Sequence, residues 1–313
     1  MMKKSAALYV TGAGYILRSG VRPLLAALLL LANIASAFQV DFSKEAVEEL
    51  FEGNLPAISQ GMAILPERIE TRALPIEAGK KYKLQMTAQV DGDFVVEEND
   101  RAHIETLHRD NLGATYKMRF YNDSGEEVSP LGRNAAWTGG FFLTKNAHPY
   151  VMVFYAPEGA TNLKVNFQSN GRTACLSNLK LAEETEEGTL NVNPDFRYGE
   201  LNYCGWKPSG DGRLYQHPDG KSTLNAGFHY FSPFFPLNPK NTYHVSAIGE
   251  GGEVNIDYFD ENLKFVVQGR FLIRLKPEGM ETEFTPPEGT VMGRVTGIRS
   301  PIIQEIRIME YKK

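Results

Sequence analysis

Along most of the chain, apolar and polar residues alternate in short runs closed by Gly, Pro, Asn or Asp. Residues 82–90, 116–121, 150–155 and 163–167 in one half, and 243–247, 254–259, 271–275 and 303–308 in the other, carry the alternating or continuously apolar patterns of strands. A period of two puts alternate side chains on one buried face, so each run predicts a strand of an antiparallel sheet lying on a core. Only residues 43–51 carry a helical pattern, with Ser43 placed to cap the first turn and Ala46, Val47, Leu50 and Phe51 on one face.

The two halves repeat each other in order. Pro75-Ile-Glu-Ala-Gly-Lys-Lys-Tyr82 matches Pro236-Leu-Asn-Pro-Lys-Asn-Thr-Tyr243, each a strand end, a turn and a new strand. Residues 116–128 match 254–266 as a hairpin with a polar turn. Phe154-Tyr-Ala-Pro-Glu-Gly-Ala160 matches Phe284-Thr-Pro-Pro-Glu-Gly-Thr290, and residues 176–184 match 303–311. Each match is weak alone, but four in one order mark a duplicated unit. Between the first two blocks the first unit is longer by 23 residues, an excess near 91–113 that holds Glu97, Glu98, His103, His108 and Arg109. A polar excursion of that length reads as mobile or lid-like rather than as a formed site. The acidic stretch 183–188 reads as a solvated turn and marks the boundary between the units.

Residues 1–22 hold Lys3, Lys4, Arg18 and Arg22 and no acid; an apolar run follows from Leu24, and Ala35-Ser36-Ala37 closes it. These three parts read as a secretory signal peptide cleaved before Phe38. The run from Leu24 to Ala32 is far shorter than the roughly 20 apolar residues of a spanning helix. No second apolar stretch follows, so no transmembrane segment is expected after cleavage, and the protein is expected to be periplasmic, cell-surface or extracellular. Removing the 37 residues takes Lys+Arg from 33 to 29 against 38 Asp+Glu, which moves the formal charge from −5 to −9 over 276 residues. An acidic exported chain excludes general nucleic-acid binding and favours neutral partners over polyanions. In an oxidising compartment Cys175 and Cys204 can close one disulfide, whose loop of about 30 residues would stabilise by roughly 3 to 4 kcal/mol. They read equally as two buried thiols acting as small apolar residues.

At these blocks the chain resembles the carbohydrate-binding modules of the galactose-binding-like jelly-roll fold. The second unit offers Asn193, Phe196 and Gly199 in the family's opening spacing, followed by Trp206. The first offers Gly79-Lys80-Lys-Tyr82, Pro157-Glu-Gly159-Ala160 and Ser177-Asn178-Leu179-Lys-Leu181. The resemblance covers most of residues 64–311, and its motifs are mainly structural, so it implies fold more than ligand. Ser177 and Gln304 stand where the family's closing strand carries Asp; its structural calcium is therefore unsupported, and no cofactor is expected. Pattern and resemblance together predict an all-β protein of two tandem antiparallel β-sandwich (jelly-roll) domains after an N-terminal signal peptide. The expected bounds are 1–37 for the signal peptide, 38–187 for the first sandwich with its short helix and long polar loop, and 188–313 for the second.

Catalytic chemistry is not legible. The chain has no Gly-x-Ser-x-Gly elbow, phosphate loop, His-Glu-x-x-His or Cys-x-x-Cys. His103 and His108, five apart, suit neither one helical face nor one strand face as metal ligands. Carboxylates are abundant, but nothing singles out a glycosidase pair. Aromatic residues are the better signal, because sugars present C–H faces that stack on Trp or Tyr beside a few polar groups. In the first unit the Gly-rich loop around Trp137, near Tyr121, Arg133 and Asn134, is the candidate platform. In the second, Tyr203, Arg213, Tyr215, His217 and Tyr230 are candidates, while Trp206 is expected in the core. The resulting expectation is a non-catalytic binding protein for a neutral polysaccharide or cell-surface glycan. The alternative is an assembly protein that contacts envelope proteins.

Overall fold

The computed structural model describes residues 7–11, 15–18, 37–42, 44–94, 113–128, 139–184, 188–199, 201–208, 212–227, 229–266, 270–298 and 301–311. They form two compact units, the first holding the described residues up to Glu184 and the second those from Gly188. The first unit contains β1 (Ala7–Thr11), β2 (Tyr15–Arg18), β3 (Ala37–Asp41), the helix α1 (Lys44–Leu50), β4 (Phe51–Glu52), β5 (Ala57–Ser59), β6 (Met62–Leu65), β7 (Arg68–Thr71) and β8 (Leu74–Pro75). It continues with β9 (Lys81–Val90), β10 (Ala114–Tyr121), β11 (Glu127–Val128), β12 (Gly139–Phe142), β13 (His148–Tyr155), β14 (Asn162–Gln168) and β15 (Ala174–Glu183). The second unit contains β16 (Lys207–Pro208), β17 (Arg213–Gln216), β18 (Ser222–Asn225), β19 (His229–Phe231), β20 (Phe235–Pro236) and β21 (Tyr243–Glu250), then β22 (Glu253–Phe259), β23 (Phe271–Arg274), β24 (Met280–Phe284), β25 (Met292–Ile298) and β26 (Ile302–Glu310).

Every paired strand is antiparallel, and each unit is a sandwich of two sheets. In the first, β13-β9-β15-β3 with β5 and β6 faces β11-β10-β14-β7-β4 with β8 and β12; β1 and β2, from the segment read as a leader, add a hairpin to β3. In the second, β17-β18-β26-β21-β24 faces β16-β19-β25-β22-β23 with β20. The pairings of the two units correspond strand for strand: β9 lies between β13 and β15 as β21 lies between β24 and β26, and β14 lies between β10 and β7 as β25 lies between β22 and β19. The four sequence blocks fall on these equivalent strands, so the duplication is structural.

The cores explain why those blocks are shared. Tyr82 stacks on Phe154 at 5.9 Å, and Phe120 packs against Phe154 at 5.5 Å; at the matching positions Tyr243 stacks on Phe284 at 5.4 Å and Tyr258 packs on it at 6.0 Å. The hydroxyl of each stacked tyrosine also fixes the turn before its strand, accepting the Glu77 N–H at 2.9 Å in one unit and the Asn238 N–H at 2.7 Å in the other. Buried hydroxyls at equivalent edges complete the match: Thr71 Oγ1 accepts the Val165 N–H and Ser232 Oγ the Val295 N–H, both at 2.9 Å. The closing strands bulge at the same place. Ser177 is the extra residue of β15 against β9, and Gln304 that of β26 against β21, so the two positions where the resembled family has Asp are the bulge residues here. A bulge locally increases twist and lets the residues on either side keep their inward facing.

The opening segments differ. The helical pattern of 43–51 appears as α1, with Ala46, Val47 and Leu50 buried against the sandwich and Phe51 already in β4; Ser43, its expected cap, lies outside the described residues. The second unit replaces this helix with turns. Phe196 and Trp206 meet edge to face at 5.2 Å, both buried, and the Trp206 indole N–H donates to the Val192 carbonyl at 3.0 Å. Trp206 is thus core, as its position implied.

Cys175 and Cys204 do not form a disulfide. Cys175 lies on β15 of the first unit, whereas Cys204 is 1 % exposed in a tight turn beside Trp206 in the second. Cys204 packs in its own unit as a small apolar side chain, whereas Cys175, between inward-facing Ala174 and Leu176, is half-exposed on the outward face of β15 rather than buried. Residues 95–112, with His103 and His108, lie outside the described residues.

The tyrosine hydroxyl that fixes each turn contributes about 1 kcal/mol, since its loss leaves a partly buried N–H without an acceptor. Tyr243→Phe should therefore lower the full chain's thermal midpoint by a few degrees, and scanning calorimetry would show the shift in the second unit's transition.

Candidate functional site

The structure separates the sequence candidates. Trp137, Arg133 and Asn134 lie outside the described residues. Tyr121 ends β10 on the outward face of the first unit, with Lys164 Nζ 5.7 Å from its ring centre. In the second unit, Arg213 and Tyr215 share the outward face of the edge strand β17, the guanidinium lying 5.3 Å from the ring centre. His217 follows them, its Nε2 3.0 Å from Thr223 Oγ1, while the Tyr203 hydroxyl accepts the Leu214 N–H at 3.3 Å. These four come together around one strand. Tyr230 does not join them. Its side chain is fully buried between the sheets, and its hydroxyl donates to the Glu253 carbonyl at 3.1 Å. Opposite it, Gly297 leaves the space that the ring fills; a Cβ there would overlap the Tyr230 ring and hydroxyl. The equivalent cross-strand pair of the first unit is Ile69 with Phe167, so the bulk has moved from one strand to its neighbour. Tyr230 belongs to the core, and burial pushes its phenol well above the ordinary range.

A different cluster occupies the outward face of β19, β25 and β22. Along β22, Val254, Ile256 and Tyr258 point into the core, which sends Asn255, Asp257 and Phe259 the other way. The ladder puts Arg294 of β25 opposite Asp257 and Thr296 opposite Asn255, with Phe231 of β19 paired to Thr296 on its far side. The Arg294 guanidinium sits 4.5 Å from the ring centre of Phe231, 5.0 Å from that of Phe234 and 5.1 Å from that of Phe259. Phe259 meets Phe234 edge to face at 5.1 Å and Phe265 at 5.4 Å, so it is nearly covered although it faces away from the core. Phe231 and Phe265 stay exposed, at 38 % and 40 %.

Asp257 is the polar centre of this face and is only 5 % exposed. Its Oδ2 accepts the Thr296 hydroxyl at 2.6 Å, and its Oδ1, buried without a hydrogen bond, lies 3.5 Å from the Nε of exposed Arg270. The carboxylate is thereby turned toward Thr296 and Arg270, while Arg294 is left to the phenyl rings. Burial pushes the Arg294 guanidinium below its ordinary range, and Asp257 opposes that shift. Each cation–π contact is worth about 0.5 to 2 kcal/mol depending on desolvation, so three rings can hold the guanidinium in place without a paired carboxylate.

The same face of the first unit is built differently. Lys164 takes the place of Arg294 and Tyr121 that of Phe259, and the cation again lies over the ring. Glu70 replaces Phe231, and Lys164 Nζ pairs with Glu70 at 3.6 Å and with Glu52 at 3.4 Å. Arg119, at the place of Asp257, lies 3.9 Å from Glu127. That face is neutralised by its own ion pairs.

Sequence reasoning named none of the second-unit cluster. Its one signal is Asp257 inside the strand Glu253–Phe259, a residue type depleted from strands. Among the described residues, no three His, Cys, Asp or Glu side chains converge as a metal site, and no helix is long and apolar enough to cross a membrane.

No family model and no curated protein matches the chain. Among solved structures it is similar to one described as "BiXyn10A CBM1 APO", with 17% identity over 37% of this chain and 63% of that one and a TM-score of 0.23. It is also similar to a structure described as "CBM4 structure and function" (12% identity, 48% of this chain, 86% of that one, TM-score 0.25). The allantoicase of Saccharomyces cerevisiae is similar over 85% of this chain and 86% of its own, at 11% identity and a TM-score of 0.25. The chain thus spans less than two thirds of the first of these. Its fold class rests on its own four antiparallel sheets.

The Thr296 hydroxyl satisfies a buried carboxylate, so Thr296→Val should destabilise the protein by about 1 to 3 kcal/mol, whereas Thr296→Ser should cost less. Urea titration should show a lower midpoint at unchanged slope.

Proposed function

We propose that the protein is an exported, non-catalytic binding protein whose second unit holds carbohydrate, a polysaccharide or cell-surface glycan, on the outward face of β19, β25 and β22. One observation carries the reading: exposed phenyl faces of Phe231 and Phe265 flank a buried carboxylate and a ring-held guanidinium on a single sheet surface. Sugars need that combination, an apolar platform for C–H faces and a few fixed polar groups for hydroxyls. Phe231 supplies the stacking surface, and Arg270 and Arg294 the donors, with Asp257 holding Arg270 from beneath. The leader pattern of residues 1–37 and the likeness to structures described as carbohydrate-binding modules lie in the same direction.

A second reading has its own support. Leu272, 47 % exposed, flanks Asn255 on the same sheet, and an apolar side chain there suits a protein partner in an assembly role.

In native affinity gels containing soluble polysaccharides, the mature chain should be retarded by at least one polymer. Phe231→Ala should weaken that retention about threefold to tenfold, the loss of one aromatic platform. Absence of retardation across a broad panel, with co-purification of an envelope protein instead, would favour the assembly reading. Edman sequencing of the exported chain should begin at Phe38.

A further inference from the structure

The cation at the centre of the second unit's face has lost the carboxylates that its counterpart in the first unit keeps. Lys164 is neutralised by Glu70 of β7 and Glu52 of β4. The ladders put Phe231 at the position of Glu70 and Lys207 at that of Glu52, so one acid has become a phenyl ring and the other a cation. The remaining acid, Asp257, is held by Thr296 and faces Arg270. Among the described residues no acceptor takes a hydrogen bond from the Arg294 guanidinium, and its Nε is buried. Among the described residues, Arg294 thus has no carboxylate of its own on this face, and Arg270 shares Asp257.

A half-buried guanidinium given no acceptor has a strong demand for a planar anion, because its forked donors match a carboxylate at two points. The rings that hold Arg294 keep it oriented, so little ordering cost remains for a ligand. Resting on the glycan reading above, we infer that the second unit recognises an acidic saccharide, with the carboxylate of a uronate residue taken by Arg294 and its ring seated beside Phe231. Arg270, exposed beside Asp257, adds long-range attraction. The site is confined to the second unit, because the ion pairs of Glu52 and Glu70 close the equivalent place in the first. The ligand is therefore acidic although the chain as a whole is acidic, a local reversal of the neutral preference that net charge suggests.

The probes are polygalacturonate, the same polymer with its carboxyl groups reduced to alcohols, and dextran sulfate, each used in affinity electrophoresis with the whole mature chain. Retention by polygalacturonate is expected, falling at least about tenfold on carboxyl reduction, the size of a charged hydrogen bond, and weakening as NaCl is raised. Arg294→Met should produce a similar loss. Phe231→Glu, which restores the first unit's carboxylate beside the cation, should do the same, whereas Lys164→Met should leave retention unchanged. Circular dichroism and melting curves establish that the variants are folded, and the polymer comparison on the wild-type chain decides the matter without them. Equal retention by the reduced polymer overturns the inference, as does retention by dextran sulfate that matches polygalacturonate at equal charge density. Retention by neutral polymers alone, still sensitive to Phe231→Ala, overturns the carboxylate assignment and keeps the glycan reading; absence of retention by every polymer overturns both.

Discussion

Each unit depends on one long antiparallel pair, β9 with β15 and β21 with β26, whose inner side chains must be covered by a second sheet. An isolated strand pair is marginal in water; a sandwich is stable because two apolar faces are removed from solvent together. The shared features of the units all serve that burial. The stacked tyrosines fill the space between the sheets while their hydroxyls hold the preceding turns, and the bulges at Ser177 and Gln304 let both closing strands twist without turning core residues outward. The duplicated blocks of sequence are the parts of the chain under this constraint.

The outward faces are free of that constraint, and there the units diverge. One face carries Lys164 among Glu52, Glu70 and Tyr121, a surface that satisfies its own charges. The other carries Arg294 among Phe231, Phe234 and Phe259 with Asp257 buried beside it. A cation over an aromatic ring is common to both, so the difference lies in whether carboxylates complete it. Desolvated, incompletely paired charge is costly to a folded protein.

Part of this was legible beforehand. Alternation located the long strands β9, β10, β14, β21, β22 and β26, because burial of one sheet face imposes a period of two directly on the residues. The helical period of 43–51 was legible for the same reason, since Ala46, Val47, Leu50 and Phe51 all meet the sandwich. The face of Phe231, Asp257 and Arg294 was not. Tyr230 seemed available and is enclosed, because a glycine on the neighbouring strand opens a space for it that no local pattern reveals.

The sequence by itself therefore determined the strands, the duplication and the charge balance, all of which are written in local periods and counts. Apart from Trp206, whose core place the resemblance implied, only the tertiary structure decided which aromatics serve the core and which meet solvent. Phe231, Asp257 and Arg294 come from three strands well apart in the chain, and they share a face because the antiparallel registers of β19 with β25 and of β22 with β25 bring them side by side. Register depends on partners distant in sequence, and a shift of one residue would send each of these side chains into the core.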